Sequence, residues 1–194
     1  MLVINKNGES GASLPPLAYV GRRGGIGRFV LPVTRWLRAV HAEKYMTPAP
    51  RHLDIGCGDG YFLRRSRCEE RYGLDKLLGD EVKDTLDFPD AYFDYVTLLA
   101  VVEHLPNPGA LLEEIARVLK PGGKLILTTP KQSAEWILKL YARDIEEEHE
   151  TYFDPDTIEK LSAGIFELVG HHTFIFGLNQ AFCLRKPPAD GSLD

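Results

Sequence analysis

Apolar and polar positions change period several times along the chain, and each change predicts an element. Between residues 28 and 45, Phe29, Val33, Trp36, Leu37, Ala39 and Val40 recur at helical spacing, with Arg28, Arg35, Arg38 and Lys44 on other faces, so an amphipathic helix is expected. Leu53 and Ile55 form the apolar part of a strand that runs into glycines, and residues 61–67 follow as a short helix. Residues 71–75 form a second short strand. Residues 92–99 are rich in aromatic, β-branched and aliphatic side chains, the composition of a strand covered on both faces. Asn107 then offers an N-cap and Pro108 a first helical position, with Leu111, Leu112, Ile115, Val118 and Leu119 on one face and a stop at Pro121-Gly122-Gly123.

Residues 124–129 are the next strand, and residues 133–143 a helix with Trp136, Ile137 and Leu140 inward. Asp154-Pro155 opens a further helix that ends near Gly164. Residues 166–172, 174–176 and 182–184 are closing strands joined by a turn at 177–179. Strand and helix alternate, so the expected class is α/β, with a doubly wound, mostly parallel sheet and a C-terminal antiparallel hairpin. Residues 1–27 carry too many glycines and prolines for a long element and read as an arm or loop. The chain thus divides into an arm and amphipathic helix (1–47), a main domain (48–186) and a flexible tail (187–194).

Composition narrows the class further. A chain of 194 residues, 44% hydrophobic, is long enough for one domain with a substantial core. Its net charge of −5 gives no overall attraction to nucleic acid or anionic membrane. Locally, six Arg or Lys residues against Glu43 between Arg22 and Lys44 leave about +5, either a solvated helix face or a patch that meets an anionic substrate or partner. Cys57, Cys68 and Cys183 are odd in number and lack C-x-x-C spacing, which argues against a disulfide framework and a zinc site and fits a reducing cytoplasm. Residues 1–10 lack an apolar signal core, and no run reaches the ~18 apolar residues of a membrane span.

The candidate chemistry centres on Leu-Asp-Ile-Gly-Cys-Gly-Asp-Gly at 53–60. Gly56, Gly58 and Gly60 can adopt positive φ and bring bare backbone close to a ligand at the end of a parallel strand. A glycine turn alone requires no ligand, because tight strand-to-helix connections need glycine anyway. Asp75, 19 residues after Gly56 and at the end of the second strand, has the spacing of an acid that receives ribose hydroxyls. Asp54 and Asp75 could equally cap strand-end turns.

The order of these segments resembles the class I S-adenosylmethionine-dependent methyltransferases. The matching segments are L-D-I-G-C-G-D-G at 53, Y-G-L-D at 72, D-F-P-D-A-Y-F-D-Y-V at 87, E-H-L-P-N-P at 103 and R-V-L-K-P-G-G-K-L-I-L-T-T-P at 117. The resemblance implies a Rossmann-like fold and S-adenosylmethionine as cofactor. It places Gly56 and Gly58 beside the methionine part, Asp54 orienting the loop, Asp75 on the ribose, and Leu99 and Ala100 along the cofactor wall.

One departure stands out. Only 18 residues separate Asp75 from Asp94, too few for the helix, third strand and loop that the family places there, so the third strand and the helix before it are expected to be shortened or missing. The acid near the adenine is then assigned to Asp84, with Asp80 behind it. His104 and His149 are the candidates for a general base, although a strand-end histidine is commonly structural. The acidic run 146–150 with Glu103-His104 raises a metal reading like that of small-RNA 2′-O-methyltransferases, but Ala100 stands where that pattern has its first glutamate, so no metal site is assigned.

Tyr19, Trp36, Tyr45, Trp136, Tyr141, Tyr152 and Phe153 are candidates for an apolar substrate wall. The expected function is methyl transfer to a small-molecule acceptor. The alternatives are a non-catalytic S-adenosylmethionine-binding regulator and an RNA methyltransferase, and a nicotinamide-dependent reductase is a weaker rival.

Overall fold

The computed structural model describes residues 1–5, 27–80, 85–105, 107–132 and 153–189, without the side chains of residues 27–31 and Leu77. Its elements are β1 (Leu2–Ile4), α1 (Gly27–Glu43), β2 (Arg51–Ile55), α2 (Tyr61–Arg65), β3 (Glu70–Leu74), β4 (Phe93–Leu99), α3 (Pro108–Val118), β5 (Leu119–Pro130), α4 (Pro155–Ser162), β6 (Glu167–Phe174) and β7 (Asn179–Arg185). Short 3-10 turns at Lys76–Leu78 and Val102–His104 follow β3 and β4. The expected helix at 133–143 lies outside the described residues.

The strands form one sheet in the order β1-β3-β2-β4-β5-β7-β6. Strands β3, β2, β4 and β5 run parallel, and β7 and β6 close the sheet antiparallel. This is the mostly parallel α/β sheet with a C-terminal hairpin that the sequence predicts. Alternation along the strands splits the core in two. Leu53, Val96, Leu98, Leu125, Leu127 and Phe182 face α3 and α4, while Tyr95, Ile126 and Cys183 face Ala39 and Ala42 of α1 and Phe62 of α2.

Helix ends follow local chemistry. Asn107 accepts the Ala110 N–H and Asp154 the Thr157 N–H, each with proline just inside the helix. The three cysteines are free and buried.

The N-terminus departs from expectation. Residues 2–4 lie in the sheet, not in a loop, with Leu2 opposite Gly73 and Ile4 opposite Arg71, antiparallel to β3. Between β3 and β4 the described residues contain no strand, as the short interval predicts, and β1 covers the β3 edge left open there. Leu2 and Ile4 pack against Cys57 and Leu63, so the edge strand buries apolar surface in a third small cluster. Arg71 fastens the junction by donating to Leu63 O, Ser66 O and Asn5 O.

Candidate functional site: the cleft between β2 and β4

After β2 the chain crosses to β3 on one side, and β4 then returns to the other side of β2. Open α/β sheets bind ligands at such a reversal, outside the carboxyl ends of the strands. A cavity of about 90 Å³ lies there, lined by Asp54, Gly56 and Cys57 after β2, Leu99 at the end of β4, Tyr61 and Phe62 of α2, and Arg35, Arg38 and Ala39 of α1.

Gly56, Gly58 and Gly60 all have positive φ, of 76°, 56° and 74°. The Gly56 and Cys57 amides donate to Leu74 O at 2.8 and 3.1 Å, which stitches the turn to the end of β3. A Cβ on Gly56 would lie 2.2 Å from Val101 Cγ2, whereas one on Gly58 would meet nothing within 4 Å. Gly56 is therefore required by the protein's own packing. Ala100 delivers that contact: its φ of 59° turns the chain sharply after β4, and its N–H bonds Thr128 O at 2.8 Å.

Asp75 is nearly buried, and its Oδ2 accepts the Gly58 N–H at 2.7 Å, so it does support the glycine turn. A carboxylate has about four acceptor positions, so this bond leaves capacity for hydroxyls. Asp54 is buried on the pocket side of β2, where Thr97 donates to its Oδ1 at 2.5 Å. Burial pushes its carboxyl up to about 7; the Thr97 bond and Arg35 pull it down, and Asp75 pushes it up. Burial also raises the Cys57 thiol, with Asp54 and Asp75 adding to the rise, so the group in the turn stays a neutral thiol.

Two basic side chains close the cleft from above. Arg35 pairs with Asp59 and stacks 4.3 Å over the Tyr61 ring, and burial lowers its pKa. Arg38 reaches Asn179 Oδ1 at 3.4 Å. Helical spacing shows that these residues leave the apolar face of α1, but not that the glycine turn lies opposite. The sequence signal was the local basic excess.

Asp54, Gly56 and Leu99 thus meet in the cavity, and Gly58, Asp75 and Ala100 adjoin it. Asp84 and His149 lie outside the described residues. Asp80 bonds the Met1 amine at 2.7 Å. His104 is exposed at the end of the 3-10 turn after β4, where its backbone N–H donates to Val101 O.

Of the aromatics expected along a substrate wall, the three described ones, Trp36, Tyr45 and Phe153, do not line this cavity. Trp36 is 47% exposed and Phe153 is in the core, while Tyr45 hydrogen-bonds His172. The aromatics that do line the cavity, Tyr61 and Phe62, follow directly from the glycine turn. Tyr19, Trp136, Tyr141 and Tyr152 are outside the described residues.

No group of three or more His, Cys, Asp or Glu side chains among the described residues is arranged to hold a metal, and no helix among them is long and apolar enough to cross a membrane.

Comparison with known proteins agrees with this fold. A family model described as a methyltransferase domain matches residues 28–164. A ubiquinone biosynthesis O-methyltransferase from Idiomarina loihiensis is 27% identical over 119 residues, covering 56% of this chain and 49% of that protein. One from Xanthomonas oryzae is 29% identical over 125 residues, 48% of this chain and 52% of that protein. The chain spans about half the length of these curated relatives. Among solved structures, a putative methyltransferase of Haloferax volcanii in complex with the Trm112 activator superposes with a TM-score of 0.67 at 18% identity, covering 83% of this chain and 93% of that one. A Thermotoga maritima SAM-dependent methyltransferase, described as a possible histamine N-methyltransferase, gives 0.59 at 19% identity, covering 82% and 97%.

Proposed function

Since the chain belongs to the methyltransferase-domain family, with the Rossmann-like class I fold, we propose that it binds S-adenosylmethionine in the β2/β4 cleft and transfers the methyl group to a small-molecule acceptor. The observation that carries this reading is the charge pattern around Gly56. Asp54 on one side and Arg35 and Arg38 on the other complement the ammonium and carboxylate of an amino-acid tail. Asp75, at the end of the neighbouring strand, supports the same reading as an acceptor for vicinal ribose hydroxyls. A nicotinamide dinucleotide needs the glycine turn for its pyrophosphate, and a buried carboxylate in that cleft opposes two phosphates.

When bound, the cofactor supplies an already electrophilic methyl group on sulfonium, so no covalent enzyme intermediate is required. The work left to the chain is alignment and exclusion of water, which can supply about 7–11 kcal/mol. Leu99 gives an apolar wall, Ala100 and Val101 fix the rim, and α1 covers the top of the cleft. For a hydroxyl or ammonium acceptor we assign proton removal to His104, which stands exposed just beyond that rim.

Small molecules fit better than RNA because basic side chains outside the cleft are already engaged, Arg51 with Glu70 and Arg65 with Glu43. The test is calorimetric binding of S-adenosylhomocysteine and NAD, followed by a labelled-methyl screen of metabolite extracts. Preference for NAD sinks the reading; tight S-adenosylhomocysteine binding with no turnover across a broad acceptor panel converts it to the regulatory one.

A further inference from the structure

Behind the cavity runs a line of buried polar side chains that methyl transfer does not use. His52, on the pocket face of β2, is completely buried; its Nδ1 lies 3.0 Å from Ser66 Oγ and its Nε2 2.9 Å from Thr97 Oγ1. Thr97 is also fully buried and donates to Asp54 Oδ1 at 2.5 Å. At the far end, the Cys68 backbone N–H donates to Ser66 Oγ at 3.4 Å.

The Asp54 end fixes the sense of the line. An ionised carboxylate can only accept, so Thr97 gives it its one hydroxyl hydrogen and must itself accept from His52 Nε2–H, and the bare Nδ1 of a neutral imidazole then accepts the Ser66 O–H. The network puts the ring proton of a neutral His52 on Nε2. Its surroundings agree, since burial, with Arg71 on β3 adding to it, holds the imidazole down to about 3. Phe62 of α2 closes the remaining side, edge-on at 5.6 Å.

We propose that Ser66, His52 and Thr97 are positioning residues that hold Asp54 as an oriented carboxylate, ready for the ammonium of the cofactor's amino-acid tail. The inference rests on the cofactor reading above and deepens it. A histidine that only filled the core would be satisfied by either tautomer. Here the tautomer matters, because Nε2–H on the Thr97 oxygen leaves the Thr97 hydroxyl hydrogen turned toward Asp54 Oδ1. A hydroxyl donated to that oxygen favours the carboxylate over the acid. The line therefore opposes protonation of a group that burial and Asp75 push toward it and Arg35 pulls from it.

The experiment titrates S-adenosylhomocysteine calorimetrically from pH 5 to 9 into the wild-type chain, His52→Phe, His52→Gln and Ser66→Ala. Wild-type affinity is expected to climb as Asp54 ionises and then level off. His52→Phe should move the midpoint of that climb upward by ~1 pH unit, and Ser66→Ala by less. His52→Gln, whose side-chain amide can replace the Nε2–H, should restore the midpoint.

A purely structural role predicts weaker binding at every pH with the midpoint unmoved, and that result overturns the proposal. If the wild-type chain binds no S-adenosylhomocysteine, the cofactor reading fails by itself. The chain is then judged by ¹³C NMR titration of the Asp54 carboxyl in the ligand-free protein: an upward shift in Ser66→Ala supports it, and an unchanged midpoint refutes it.

Discussion

Alanine at position 56 should be costly for two separable reasons. Gly56 has φ of 76°, a conformation that costs an L residue about 1–2 kcal/mol. Its added Cβ would also sit 2.2 Å from Val101 Cγ2, and overpacking of that kind costs about 1–3 kcal/mol. Gly56→Ala should therefore destabilise by about 2–5 kcal/mol, which for a chain of this length is a fall in Tm of roughly 4–20 °C. Gly58→Ala provides the control, because its φ is 56° but nothing lies within 4 Å of its Cβ position, leaving the strain alone at about 1–2 kcal/mol. Thermal and urea unfolding of Gly56→Ala, Val101→Ala and the double variant then isolate the contact. The double variant should be more stable than the sum of the single losses by about 1–3 kcal/mol. If Gly56→Ala costs no more than Gly58→Ala, or the two changes simply add, Val101 does not rest on the turn and the account of why this glycine is needed is wrong.

Further expectations follow from the same contacts. Replacing Arg35 or Arg38 by Ala should weaken S-adenosylhomocysteine roughly 10- to 150-fold, the worth of a charge-assisted hydrogen bond, while methylthioadenosine, which lacks the amino-acid tail, should bind as before; equal loss for both ligands assigns the arginines to general shape. Leu2→Ala should cost about 2–5 kcal/mol because Leu2 is fully buried in β1, and an effect below about 0.5 kcal/mol in urea unfolding would return the N-terminus to a loop. His41 and His172, bonded at 2.6 Å, are both held below the usual histidine range, chiefly by burial and partly by Lys44. Lowered folded-state values mean that this part of the stability is complete above about pH 6.5 and is lost as pH falls below it. His172→Gln should flatten the acid side of the stability–pH curve, and an unchanged slope contradicts the assignment. With an identified hydroxyl or ammonium acceptor, His104→Gln should lower kcat by about 10²–10⁴ while cofactor affinity stays the same.

Much of the parallel core was legible because its signals are local. The apolar stretch at 53–55 breaking into glycines, the covered strand at 93–99 and the Asn107-Pro108 helix start each follow from adjacent residues. That the described residues between β3 and β4 hold no strand was legible as arithmetic on 18 residues. Strand β1 was not, because three apolar residues give almost no periodicity and their partners lie about 70 positions away, Leu2 opposite Gly73. The arginines over the cleft were legible as charge but not as position. Which aromatics line the cavity was not legible, because spacing along a helix says nothing of which neighbour covers it: Trp36 is 47% exposed while Tyr61 lines the cavity. The His52–Thr97 bond joins residues 45 apart on different strands and becomes visible only when β2 and β4 are paired in register.

Calorimetry of S-adenosylhomocysteine with the wild-type chain and with Asp75→Ala tests the cleft most directly. Saturable binding at one site, weakened at least 100-fold when the β3 carboxylate is removed from a protein that still unfolds cooperatively, is the predicted result. No heat from the wild-type chain, or equal affinity in the two proteins, contradicts the assignment of this cleft to the cofactor.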